Sequence, residues 1–174
     1  MLKNIIILKH TIVYILNFLL LFMLDWRNNF EKAKKHFKIA DHMSYITFAI
    51  LKENRLMIKI FNEITESIKC CILGLLGYYE EQGKIKLFDE MSLNLRTFKE
   101  KIAPVYLDSK EIHEIFSILS VHNKHKESSL EFVKRDKFVI FTGNGYETLT
   151  IEKIKQYLAL NRKLLASIPN TPLK

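Results

Sequence analysis

Apolar residues recur at helical spacing from Trp26 onward. Trp26, Phe30, Ala33, Phe37 and Ala40 follow one another at intervals of 4, 3, 4 and 3, which sets them on one helix face. Ile39, Met43, Ile46 and Ile50 are expected to widen that face, with Asp25 as N-cap. After a short connection at Lys52-Glu53-Asn54, a second helix is expected from about Arg55 to Gln82. Its buried stripe would be Leu56, Ile60, Ile64, Ile68, Cys71 and Leu75, and Gly83 suits its C-terminus. So short a link between two long helices implies an antiparallel pair.

A shorter helix is expected over Ser92 to Ile102, ending before Pro104. Asp108-x-x-Glu111 then reads as a capping box opening a helix through about His125, with Ile112, Ile115, Phe116 and Leu119 inward. The period changes at Phe138-Val139-Ile140-Phe141, which is strand-like. Gly143-Asn144-Gly145 is a turn signal, and Tyr146 to Thr150 is the expected partner strand. A last helix runs from Ile151 to about Ile168, and Pro169 and Pro172 mark the tail 169–174. The fold class expected is mainly α: an antiparallel bundle of four to five helices, with a small β-hairpin before the last.

Residues 1–24 have a different pattern. Eighteen of them are apolar and none is acidic. Counted from Ile5, the run approaches the roughly 20 residues that a membrane span needs. Lys9, His10 and Asn17 weaken that reading. A cleaved signal fits poorly, because Phe22, Met23, Leu24 and Asp25 offer no small-residue cleavage site. An anchor, an extra bundle helix and a natural start at Met23 stay open, with 25–168 as the bundle domain.

Composition adds less. Five Gly and three Pro among 174 residues are too few for a turn-rich all-β fold, and 48% apolar content excludes a disordered chain. A net charge of +8 permits nucleic acid or an anionic membrane surface as partner without establishing either. Cys70 and Cys71 are adjacent in an apolar run, where they act as small hydrophobes. Two thiols without a disulfide framework suit a reducing, cytoplasmic setting, at its membrane face if residues 5–24 are an anchor.

Candidate chemistry is sparse. His122-x-x-His125 could ligate a metal. No Cys or acid at supporting spacing follows it, and a solvated helix end is the expected reading. Lys38, Asp41, His42 and Tyr45 form one polar stripe on the first helix, read as its hydrated side against an acid–base group in a cleft. Lys124, Lys126, Lys134, Arg135 and Lys137 lie near Phe132 and Phe138. That grouping can hold single-stranded RNA by phosphate contacts and stacking, although Glu127, Glu131 and Asp136 dilute it. Phosphate-loop, nucleophile-elbow and His-Glu-x-x-His motifs are all missing. No catalytic residue, metal ligand set or cofactor is therefore assigned.

The stretch Phe30-Glu31-Lys32-Ala33-Lys34-Lys35-His36-Phe37-Lys38-Ile39-Ala40-Asp41-His42-Met43 resembles the first helix of a group of archaeal helical proteins. The run His125-Lys126-Glu127-Ser128-Ser129-Leu130-Glu131-Phe132-Val133-Lys134-Arg135-Asp136-Lys137 is similar to that group as well. The likeness covers roughly residues 25 to 168. The long antiparallel helices also resemble HEPN bundles, many of which are metal-independent ribonucleases using an Arg and a His four to six residues later. Here Arg27 and His36 have eight residues between them, and Arg96, Arg135 and Arg162 have no following His at usable distance. The resemblance thus implies the non-catalytic kind, a partner-binding or substrate-presenting module, often dimeric. The expected function is a non-enzymatic, RNA-associated, self-associating interaction module with a protein partner or a second copy. Two alternatives remain: a divergent ribonuclease using His42 or His122, and a membrane-tethered bundle.

Overall fold

Helix α1 (Trp26–His42) begins where the sequence places it, with Asp25 Oδ1 accepting from the Asn28 amide at 3.2 Å. The computed structural model describes residues 25–127, 131–141 and 145–168. The apolar segment 1–24, the tail 169–174 and most of the Gly143-Asn144-Gly145 turn lie outside the described residues.

Trp26, Phe30, Ala33 and Ala40 are buried, as their spacing predicts, and Phe37 packs at the edge of the core. Of the four residues predicted to widen that face only Met43 packs against the core. Ile39, Ile46 and Ile50 are exposed, Ile50 by 74%. Ile39, still in the regular helix, sits at the edge of the face; beyond it the cause is a π-helical turn at Met43–Thr47, in which the Phe48 amide reaches back to the Met43 carbonyl. One extra residue in that turn rotates the remainder of the helix, so Ser44 faces inward while Ile46 and Ile50 point out. A last turn, α2 (Phe48–Leu51), ends at Lys52, whose φ of 50° is a left-handed C-cap.

Helix α3 (Leu56–Glu81) runs back antiparallel to α1 and is the centre of the core. Its predicted stripe is buried throughout, and Met57, Phe61, Ile72 and Leu76 are buried beside it. A helix apolar on several faces is covered on several sides. Here α1, α5 and α6 supply the cover. Gly83 follows with φ 66°, a value that an L side chain resists.

Helix α4 (Met91–Thr97) passes into a second π-turn, Phe98–Ile102, and a 3-10 turn, Ala103–Val105, that accommodates Pro104. Helix α5 (Ser109–Glu127) starts with the predicted capping box in both directions. The Glu111 amide donates to Asp108 Oδ1 at 2.8 Å, and the Asp108 amide donates to Glu111 Oε2 at 2.9 Å.

The predicted hairpin is the second half of a three-stranded antiparallel sheet in the order β1 (Glu131–Lys134), β2 (Lys137–Phe141), β3 (Tyr146–Leu149). Strand β1 goes beyond the expected hairpin. Its register pairs Phe132 with Val139 and Lys134 with Lys137, across a two-residue turn in which Arg135 takes φ 55°. A positive φ at the first turn position matches the twist of the flanking strands. Thr150 then caps α6 (Ile151–Ala166) by accepting from the Lys153 amide.

The inner face of the sheet, through Phe138, Ile140 and Leu149, joins the same core that contains Trp26 and Leu164. At the junction of α1, α3 and α6, buried Ser67 Oγ donates to the Ala33 carbonyl at 2.8 Å and lies 3.3 Å from Asn161 Oδ1. A polar link buried among three helices fixes their relative register.

Candidate nucleic-acid interface

Alternation along three short strands builds the most distinctive surface of the molecule. Because side chains alternate across a sheet, the register assigns Phe132 and Lys134 of β1 to the outer face. It assigns Lys137, Val139 and Phe141 of β2 there too, with Tyr146 and Thr148 of β3. Together with Arg135 and Asp136 of the turn they line a shallow concavity of 650 Å³. Val139 is buried at its middle, whereas Phe132 (45%), Phe141 (43%) and Tyr146 (73%) are exposed. Exposed aromatic side chains from all three strands thus share one surface.

Electrostatics singles out the turn end of this face. Lys134 and Lys137 are direct cross-strand partners, and Arg135 is one residue away. Like charges opposed across a sheet oppose pairing. Among the described side chains of the turn, Asp136 offsets one of the three cations. An anion between the two lysines relieves that repulsion. The turn is fastened to the helices by Asn54, whose Nδ2 donates to the Arg135 carbonyl at 2.6 Å.

The structure thus divides the five basic residues that stand out in the sequence. Lys134, Arg135 and Lys137 come together on the sheet. Lys124 and Lys126 are exposed on α5, and Lys126 is close enough to Glu66 and His122 to act on their charge, which places it towards α3. Of the two aromatics expected beside them, Phe132 serves the outer face. Phe138 does not: it is one residue out of phase and only 3% exposed, inside the core. Phe141 and Tyr146 take its place. The alternation of β2 signals Phe141, whereas Tyr146 needs the β2–β3 register.

Two residues of the predicted polar stripe, Asp41 of α1 and Tyr45 of the π-turn, reach α6. Arg162 Nη2 donates to Asp41 Oδ1 at 2.9 Å, and Lys155 Nζ lies 5.3 Å from the centre of the Tyr45 ring. Lys38 and His42 are exposed. Such an arrangement joins two helices at their wet edge.

His122 overturns the expectation of a solvated helix end. Its side chain is 2% exposed against Phe61, and neither ring nitrogen has a hydrogen-bond partner. Glu66 Oε1 is 3.7 Å from Nε2. Burial, together with the charges of Lys69 and Lys126, depresses the His122 pKa to about 4, so the ring is neutral at pH 7. Among the described residues no three of His, Cys, Asp and Glu come together as a metal site requires. Cys71 is buried and Cys70 half-buried, both as free thiols. Burial pushes both pKa values up, which makes them poor nucleophiles.

Among the described residues no helix is long and apolar enough to cross a membrane. No protein-family model matches the chain, and no curated protein or solved structure is significantly similar to it.

Proposed function

We propose that this protein is a non-enzymatic accessory module that binds single-stranded nucleic acid, RNA above all, on the outer face of its sheet. One observation carries the reading: Phe132, Phe141 and Tyr146 are exposed on the same face as the opposed pair Lys134 and Lys137. Exposed rings offer stacking platforms to unpaired bases, and the cations at the turn take the phosphates. A duplex keeps its bases stacked on one another and gains nothing from such rings. The helical bundle supports this face from behind. Its antiparallel α1–α3 pair suits a distant HEPN-like bundle of the non-catalytic kind, and two free thiols suit a reducing compartment.

Fluorescence anisotropy with a labelled single-stranded RNA of about a dozen nucleotides tests the proposal. The same titration is run with single-stranded DNA and with duplex RNA. Single strands are expected to bind better than duplex. Phe132→Ala and Tyr146→Ala should each weaken binding by about 1–3 kcal/mol. With three cations engaged, log Kd against log salt should have a slope of about 2, falling by about 0.7 in Lys134→Ala. Duplex binding as tight as single-strand binding, or no binding at low salt, overturns the reading.

A further inference from the structure

A second concavity, sharing no lining residue with the first, opens between α3, α4 and α5. It has a volume of 230 Å³, with Ile72, Leu73, Met91, Leu95 and Leu119 among its walls. Lys69 stands at its rim. The ammonium of Lys69 carries three donors, one of which goes to Glu66 Oε1 at 2.9 Å.

Among the described side chains that act on Glu66, cations outnumber carboxylates. Glu66 is the carboxylate that holds Lys69. Around Glu66 stand Lys69 of its own helix and Lys126 and His122 of α5, with His125 acting on His122 from the same turn. Burial alone would raise the Glu66 pKa, yet the hydrogen bond and charge of Lys69 leave it below the ordinary carboxylate range. Even so, among the described side chains Glu66 meets two ammonium groups, those of Lys69 and Lys126. His122 beside them is buried with both nitrogens unpartnered. The corner therefore favours a second anion, and the walls next to it are apolar. A volume of 230 Å³ admits roughly eight methylene-sized groups, at about the volume of one water each.

We propose that this cleft binds a small amphipathic monocarboxylate of about eight carbons, its tail between α3, α4 and α5 and its head on Lys69. The site is separate from the sheet face and stands whether or not nucleic acid binds there. A carboxylate on the remaining donors of Lys69 leaves the Glu66 hydrogen bond in place. The tail covers side chains of Leu73, Met91, Leu95 and Leu119 that are now half-buried. At this size the cleft is too small for a drug-sized ligand and suited to a short chain.

Isothermal titration calorimetry of the full chain at pH 7, with sodium octanoate and with 1-octanol as its uncharged counterpart, tests the proposal. Octanoate should bind with a Kd below about 1 mM. Lys69→Met should weaken octanoate at least tenfold and leave octanol unchanged. Leu119→Trp should fill the cleft and weaken both ligands at least tenfold; Leu95→Trp does the same from the opposite wall, should Leu119→Trp fail to fold. Octanoate affinity unchanged in Lys69→Met, binding that survives both tryptophan variants, or no saturable heat from octanoate overturns the proposal.

Discussion

A buried imidazole without hydrogen-bond partners carries a stability cost that depends on pH. His122 titrates at about 4 in the native protein against 6.5 in an unperturbed chain, because burial and the neighbouring ammonium groups oppose its proton. Above pH 6.5 the ring is neutral in both states, and pH has no leverage through it. Between pH 6.5 and pH 4 the unfolded chain takes up a proton that the native protein refuses. Stability then falls by about 1.4 kcal/mol per pH unit, about 3 kcal/mol over the window. Below pH 4 both states are protonated and the loss stops growing. His122→Leu removes this group from both states. Urea unfolding at several pH values should show a shallower loss between pH 6.5 and 4 in the variant than in the parent. Parallel losses in the two proteins would exclude His122 as the source. The sequence signals two histidines three residues apart at the end of a helix. It does not signal that α3 passes in front of one of them, because burial comes from an element dozens of residues away.

At the scale of elements, local chemistry makes the helix starts legible. Asp25 caps α1, Asp108 and Glu111 close their reciprocal box, and Gly83 ends the turn after α3 in the conformation that glycine allows. Two features escape the sequence pattern. A π-turn at Met43–Thr47 adds a residue to a helix without any residue type that marks it, so the phase beyond it departs from the regular period. Strand β1 is only Glu131-Phe132-Val133-Lys134, joined to β2 through Arg135-Asp136 where glycine or asparagine would announce a hairpin. Helix pairing also depends on a close approach that side-chain periodicity does not reveal. Gly74 of α3 lies against the ring of Phe30, and a Cβ there would collide with it. Phe30 is itself buried and has little room to give. Gly74→Ala should therefore destabilise by about 1–2 kcal/mol, since overpacking outweighs the ~1 kcal/mol that alanine gains in helix propensity. On a Phe30→Leu background, where the ring is gone, most of that cost should vanish in a double-mutant cycle followed by chemical denaturation. Equal costs on the two backgrounds would show that the collision is relieved elsewhere.

For the molecule as a whole, the question is how a small sheet is held steady against a bundle. Its inner face is secured by Phe138, Ile140 and Leu149 in the common core. The free end is secured differently, by the amide of Asn54 from the α2–α3 connection, on the carbonyl of Arg135. The basic residues of this end are visible in the sequence. Their aromatic companions are only half visible, because register decides whether Phe138 or Phe141 faces outward, and register is set by pairing with β1 and β3. The Asn54 contact joins residues 81 apart, and no local pattern announces it. It makes the geometry of the lysine pair depend on the helical hairpin. Asn54→Ala should leave the melting temperature within a few degrees, since an exposed hydrogen bond contributes only about 1 kcal/mol net. Hydrogen exchange should nevertheless accelerate at the amides of residues 134–137, while those of α3 are unchanged. Anisotropy should show weaker RNA binding with an unchanged salt slope, because the cations remain but are no longer held in place. Unchanged exchange at the turn would mean that the inner-face packing alone positions the lysine pair.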